Sequence, residues 1–187
     1  SYIGTKNNYK EFISKRLNPE IKQKFFYNKD APTVVKRRFV DPAFLGKLFE
    51  ICHLEDTNNI SPALESQIYK YLDSNLKKFD MALVTDFGHG LITEKIVKIL
   101  CKKAKFLAVN VQTNSANLGF NLITKFSRAD YVCIDEPEIR LACHDKHSDL
   151  KKLVLSVSRK LKCAKVIITR GHKGSLAYSK KEGFTDI

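Results

Sequence analysis

From Met81 onward the chain repeats one rhythm: a short apolar run, a compact polar or glycine-bearing group, then a helical pattern. The runs are Met81-Ala-Leu-Val-Thr85, Phe106-Leu-Ala-Val109, Tyr131-Val-Cys-Ile134 and Lys165-Val-Ile-Ile168. Runs this short and this uniformly apolar fit strands buried on both faces of a parallel sheet. Strand–helix–strand alternation requires right-handed crossovers, which place every strand's carboxyl end on one edge of the sheet. Open α/β sheets bind ligands along that edge. The groups that end the runs are therefore the candidate site: Asp86-Phe-Gly-His-Gly90, Asn110-Val-Gln-Thr-Asn114, Asp135-Glu-Pro-Glu138 and Thr169-Arg-Gly-His-Lys-Gly174. Four compact polar groups on one edge point to a polar ligand.

Each group also has a purely structural meaning. Asp135 is placed as a helix cap, with Pro137 in the first turn and Glu138 three residues after the cap. The same pair of carboxylates at a helix start suits phosphate or metal chemistry. Asp86 with Gly88 and Gly90 is either a tight turn or a contact to a substrate hydroxyl. His89 reads as a loop histidine more readily than as a catalyst. Asn110 could satisfy backbone groups in an irregular loop. Thr169, Gly171 and Gly174 make either a hairpin, with Ser175-Leu-Ala-Tyr178 as second strand, or a backbone cradle for nucleotide phosphates. Helices are expected from Thr93 to about Lys103 and from Ser148 to Lys162, and a long polar segment from Ser115 to Arg128.

The first third follows another pattern. Tyr9, Phe12, Ile13, Arg16 and Leu17 give Ser1 to Leu17 a helical period, ended by Pro19. Three β-rich runs follow: Lys24 to Tyr27, Thr33 to Val40, and Leu48 to Leu54. The first two are separated by the turn-like Asn28-Lys-Asp-Ala-Pro32. Together they predict a small antiparallel extension in which Lys36, Arg37 and Arg38 point alternately to opposite faces. Asp56 to Asn59 reads as a loop. Ser61-Pro62 with Glu65 then starts a helix that runs to about Lys78. One domain is expected over 1–187, with the β extension at about 23–54 and the alternating part at about 61–187.

The 187 residues are 43% hydrophobic and 28% charged, ordinary for a folded domain. No apolar run approaches transmembrane length. The five scattered cysteines contain no CxxC pair, which argues for a reduced, cytoplasmic setting without zinc knuckles or a disulfide framework. The net charge of +13 would suit nucleic acid, a membrane surface or phosphorylated small ligands. The lysines lie along helix-like stretches without interleaved aromatics, so phosphorylated substrates are the preferred reading and nucleic acid the weaker one.

In these motifs the chain resembles the central part of a PfkB-type, ribokinase-like carbohydrate kinase. Asp135-Glu-Pro-Glu138 stands where that family has Asn-x-x-Glu, and Thr169-Arg-Gly-His-Lys-Gly174 where it has Thr-x-Gly-x-x-Gly. The nearest likeness is to the heptose-phosphate kinase branch of ADP-heptose synthesis. It is carried by Ala31-Pro-Thr-Val-Val-Lys-Arg-Arg38, Val84-Thr-Asp-Phe-Gly-His-Gly90, Asn110-Val-Gln-Thr-Asn114 and Ala129 to Ala142. The resemblance implies a mostly parallel sheet flanked by helices, with an antiparallel β lid and the fold incomplete at both ends. It implies ATP and Mg2+ as cofactors and a sugar or sugar phosphate as acceptor. Asp135 and Glu138 would then serve the metal, and Asn110, Thr169, Gly171 and Gly174 the nucleotide and its phosphates. Lys36, Arg38 and Asp86 would serve the sugar, and the lid could form a homodimer. The family's N-terminal di-glycine segment would fall before Ser1, and its Gly-Ala-Gly-Asp loop, with the catalytic base, beyond Ile187. Asp135 departs from the family's Asn by keeping the cap and adding a charge. The alternatives are a nucleotide-binding module without catalysis and a basic nucleic-acid-binding α/β domain.

Overall fold

A computed structural model describes residues 1–53, 60–114 and 117–187, which fall into two units, Ser1–Ile68 and Tyr69–Ile187. The first unit begins with β1 (Tyr2–Lys6), α1 (Lys10–Arg16) and β2 (Phe26–Pro32), and β2 pairs with β1 in parallel. Next come β3 (Val35–Val40) and β4 (Lys47–His53), which form a separate antiparallel ribbon. Helix α2 (Pro62–Asn75) contains the boundary between the units.

Two expectations are corrected here. Residues 2–6 are a strand, and the helix starts only at Lys10. Gly4 concealed that strand, because glycine is a weak strand former that marks close backbone approach. A Cβ at Gly4 would lie 2.2 Å from the Ala31 carbonyl oxygen, so β2 can approach only because the position is Gly. The turn expected at Asn28 to Pro32 lies inside β2, and β2 belongs to this parallel pair rather than to the antiparallel extension. The turn chemistry is nevertheless present: Asp30 has φ 59°, and the register slips between Gly4 and Lys6. The expected positions Leu54, Asp56 to Asn59 and Ser115 lie outside the described residues.

The second unit realises the alternating rhythm. Its elements are β5 (Met81–Asp86), α3 (Glu94–Lys103), β6 (Phe106–Val111), β7 (Tyr131–Asp135), α4 (Glu136–Cys143), α5 (Leu150–Lys160), β8 (Lys165–Thr169), β9 (Ser175–Ser179) and β10 (Gly183–Asp186). They form a six-stranded sheet in the order β10-β9-β8-β7-β6-β5. Strands β5 to β8 are mutually parallel, while β9 and β10 run antiparallel as a terminal meander. Leu107, Val109, Val132, Ile134, Val166 and Ile168 are almost wholly buried in the central strands. Ile96 and Leu100 of α3, Ile139 of α4 and Val154 and Val157 of α5 complete the core. Burying side chains of this size contributes about 1.5–3 kcal/mol each and dominates the sheet's stability.

Local chemistry sets the helix ends that matter for the site. The Thr93 hydroxyl accepts Ile96 N–H at 3.3 Å, and the Asp149 carboxylate accepts Lys151 and Lys152 N–H, so both helices start on side-chain caps. At the other end of α3, the Arg128 guanidinium donates to the carbonyls of Cys101, Ala104 and Lys105 at 2.9–3.2 Å. These helix-end acceptors would otherwise need water. The long segment before β7 is irregular, but it closes with a single turn at Ile123–Lys125 that sends Ile123 and Phe126 into the core.

Candidate functional site

Parallel β5 to β8 bring their carboxyl ends to one edge, as the alternation predicts. In register, Thr85 faces Asn110, Asp86 faces Val111 and Asp135 faces Thr169. The structure thus gathers Asp86, Asn110, Asp135, Glu138, Thr169, Gly171 and Gly174 in the second unit. Lys36 and Arg38 stand on β3 in the first unit, where the Arg38 guanidinium pairs with Glu50 at 2.7 Å.

Glu138 is buried, at 7% exposure. Asp135 Oδ1 accepts Glu138 N–H at 2.7 Å, and Glu138 Oε2 accepts Asp135 N–H at 2.8 Å, a complete capping box. Its other oxygen, Oε1, accepts Thr113 N–H at 2.9 Å and so ties the end of β6 to the start of α4. Burial pushes the Glu138 carboxyl above its ordinary value of 4.5, against the opposing pull of the Asp135 and Thr113 amides.

Asp86 is more deeply buried, at 3% exposure. Its Oδ1 accepts Gly88 N–H at 2.9 Å, forming the tight turn, and its Oδ2 pairs with the Lys125 ammonium. Gly88 has φ 71°, which favours glycine, and a Cβ there would displace the Asn117 side-chain amide, whose Nδ2 lies 1.8 Å away. The Asn110 amide donates to the Cys133 carbonyl at 2.8 Å, bridging the ends of β6 and β7.

The turn after β8 is built differently. Gly171 (φ 59°) and Gly174 (φ 75°) bracket one tight turn, and Arg170 N–H closes on the Gly174 carbonyl at 2.8 Å. Nothing lies within 4 Å of a Cβ placed on Gly171, whereas one on Gly174 would come 2.0 Å from the Ile187 carbonyl oxygen. Thr169, Gly171 and Gly174 are all exposed.

No protein-family model matches the chain. Among solved structures, ribokinase from Giardia lamblia superposes with a TM-score of 0.68 at 17% identity, covering 100% of this chain and 57% of that one. The tetrameric inhibited form of phosphofructokinase-2 from Escherichia coli gives 0.72 at 10% identity, covering 100% and 60%. The chain has the ribokinase-like fold. Arabidopsis thaliana ribokinase, solved with ribose and ATP, gives 0.66 at 11% identity, covering 100% and 59%. In sequence the chain is similar to the bifunctional protein HldE of Campylobacter jejuni subsp. doylei, 25% identical over 124 residues. That match covers 66% of this chain and 25% of the relative, and a second Campylobacter jejuni HldE matches at 24%. The chain therefore spans about a quarter of the length of these curated relatives. The resemblance read from its motifs is to ribokinase-like carbohydrate kinases, in line with these neighbours.

Within the ribokinase-like fold the carboxylates fit one kind of metal. Both Glu138 oxygens already accept backbone N–H groups, and among the described residues no cluster of three or more His, Cys, Asp or Glu side chains could cage an ion. Asp135 is half-exposed and uses one oxygen for its cap. Such a donor set suits a hydrated Mg2+ held through its waters, because Mg2+ keeps several waters and takes few protein carboxylates. Among the described residues no helix is long and apolar enough to cross a membrane.

Three contributors, Asn117, Asn121 and Lys125, escaped the sequence pattern, and they continue from Asn114 of the strand-end group. Asn114 Nδ2 donates to the Phe87 carbonyl at 3.0 Å, and Asn117 Oδ1 accepts Asn114 N–H at 2.8 Å. Asn121 Nδ2 reaches the Gln112 carbonyl at 3.1 Å, and its Oδ1 accepts from Lys125 at 2.8 Å. Their spacing of three, four and four residues was the one signal available.

Proposed function

We propose that this chain is the nucleotide- and metal-handling part of an ATP-dependent carbohydrate kinase. Its acceptor is a sugar or sugar phosphate of the heptose-phosphate type. The observation that carries the reading is the register of Asp135 with Thr169, which sets a carboxylate-opened helix beside an exposed glycine turn on the ligand-binding edge of a ribokinase-like sheet. The similarity to HldE supports the heptose side, and the ribokinase solved with ribose and ATP supports the nucleotide.

In this reading Thr169, Gly171 and Gly174 border the nucleotide. The absence of a side chain at Gly171 leaves open space into which phosphates can approach the backbone. Asn110 lies toward the phosphates, with its amide held by the Cys133 carbonyl. Asp135, supported by Glu138, orients waters of a bound Mg2+, which when present neutralises charge on the transferred phosphoryl. Lys36 and Arg38 provide cations for the sugar or its phosphate, and Asp86 serves that side through the turn it holds. No described residue is assigned as the base that takes the sugar hydroxyl's proton; the resemblance assigns it to an Asp beyond Ile187. The β3–β4 ribbon, which exposes Phe44, Leu45, Leu48 and Phe49, is the candidate homodimer surface.

Thermal unfolding tests the reading. Mg–ATP should raise the midpoint of this chain and of the full-length protein, and Glu138→Gln should remove the Mg2+-dependent part of that rise. No protection by Mg–ATP in either, with steeply salt-dependent binding of RNA or DNA instead, would overturn it.

A further inference from the structure

Lys125 looks like a surface lysine in the sequence, 39 residues after its partner Asp86, yet its side chain is only 28% exposed. An ammonium has three donors. Here they go to Asp86 Oδ2, Asn121 Oδ1 at 2.8 Å and the Ile92 carbonyl at 3.4 Å. None is left for a ligand, so Lys125 cannot act as a phosphate- or sugar-binding cation without dismantling these contacts. What it supplies is the counter-charge for a carboxylate buried away from water, a charge that is costly to leave unpaired.

Asp86 transmits that anchoring further. Its carboxylate takes Gly88 N–H, and its main-chain carbonyl takes Gln112 N–H at 2.8 Å and Asn121 Nδ2 at 3.4 Å. The next residue, Thr113, donates its N–H to Glu138 Oε1 and its hydroxyl to the Asn121 carbonyl at 3.1 Å. Glu138 Oε2 then accepts Asp135 N–H. An unbroken run of bonds therefore leads from Lys125, through the ends of β5 and β6, to the cap of α4.

We propose that Lys125 is a positioning residue: its pairing with Asp86 holds the Gly88–Gly90 turn and the Gln112–Thr113 segment in the arrangement that receives the sugar. This rests on the kinase reading for the identity of the ligand but not for the geometry.

The full-length protein is compared with Lys125→Met, Lys125→Arg and the double variant Asp86→Asn/Lys125→Met. Lys103→Met is the control, removing a cation that pairs with Asp73 and makes no contact with the strand ends. Amide exchange should speed up by about tenfold or more at Gly88, Gln112 and Thr113 in Lys125→Met, with the Val166 amide unchanged. Well below the unfolding midpoint, the sugar KM should rise by about tenfold while the ATP KM stays within about twofold. Lys125→Arg should recover part of both effects. The double variant should recover stability while exchange at Gln112 and Thr113 stays fast, which a merely stabilising ion pair would not produce. Lys103→Met should lower stability alone. Exchange that changes only at Gly88, or a folded Lys125→Met variant with unchanged sugar KM, overturns the proposal. If the wild-type protein phosphorylates no sugar, the kinase reading fails, and the exchange pattern at Gln112 and Thr113 alone decides the positioning role.

Discussion

One edge of the sheet presents its polar groups in two opposite ways. At the ends of β5 to β7, Asp86 and Glu138 are buried, and both carboxylate oxygens of each are engaged by a backbone N–H or by Lys125. At the end of β8, Thr169, Gly171 and Gly174 are exposed and offer main chain rather than side chain. The first region is a closed polar network, in which low local dielectric makes each missing partner expensive. The second is an open turn whose conformational freedom comes from glycine. In the proposed reading, the open end receives ligand atoms and the closed end fixes where that ligand sits.

The contrast can be broken by substitution. Lys125→Met should have the largest effect on stability, about 2–4 kcal/mol in urea unfolding, because it strands the buried Asp86 carboxylate. A loss under about half a kcal/mol would show the network to be dispensable. Gly174→Ala should follow, at about 1–3 kcal/mol, since a Cβ collides with the Ile187 carbonyl at a positive φ. Glu138→Gln should cost about 1–2 kcal/mol near neutral pH, where one of its two accepting oxygens becomes a donor facing an N–H.

That last variant also carries a pH signature. Because burial raises the folded Glu138 value, the folded state holds this proton more tightly than the unfolded chain. The resulting stabilisation is fully present below the ordinary value of 4.5 and is lost as pH rises through the raised folded value. The gap in melting midpoint between wild type and Glu138→Gln should therefore widen as pH falls from neutral. A constant or narrowing gap would mean that the two amide bonds outweigh burial. Gly171→Ala should show the smallest effect, about 1 kcal/mol, because it meets only the positive φ and open space. A larger loss there would erase the distinction between the two glycines.

The strands of the parallel sheet were legible from their uninterrupted apolar runs, as in Val132 to Ile134 or Val166 to Ile168, although β5 is not buried on both faces, since Met81 and Leu83 are exposed. The cap at Asp135 was legible because its partner Glu138 lies three residues on, whereas the helix starts near Thr93 and Asp149 were placed without their caps. Strand β1 was not, since Gly4 weakens a five-residue signal and its reason lies on another strand. Strand β10 was missed for a related cause: its four residues are largely exposed and pair only with β9. At the site, the cap between Asp135 and Glu138 could be read locally. The bond from Thr113 to Glu138 and the pairing of Lys125 with Asp86 could not, because each joins residues brought together only by the fold.

The central claim is tested most directly by incubating the full-length protein with Mg–ATP and a panel of sugars and sugar phosphates, and weighing the products by mass spectrometry. The account predicts ADP together with one phosphorylated heptose or heptose phosphate, formed only when Mg2+ is present. An intact panel with unconsumed ATP, from protein shown to be folded, would contradict it.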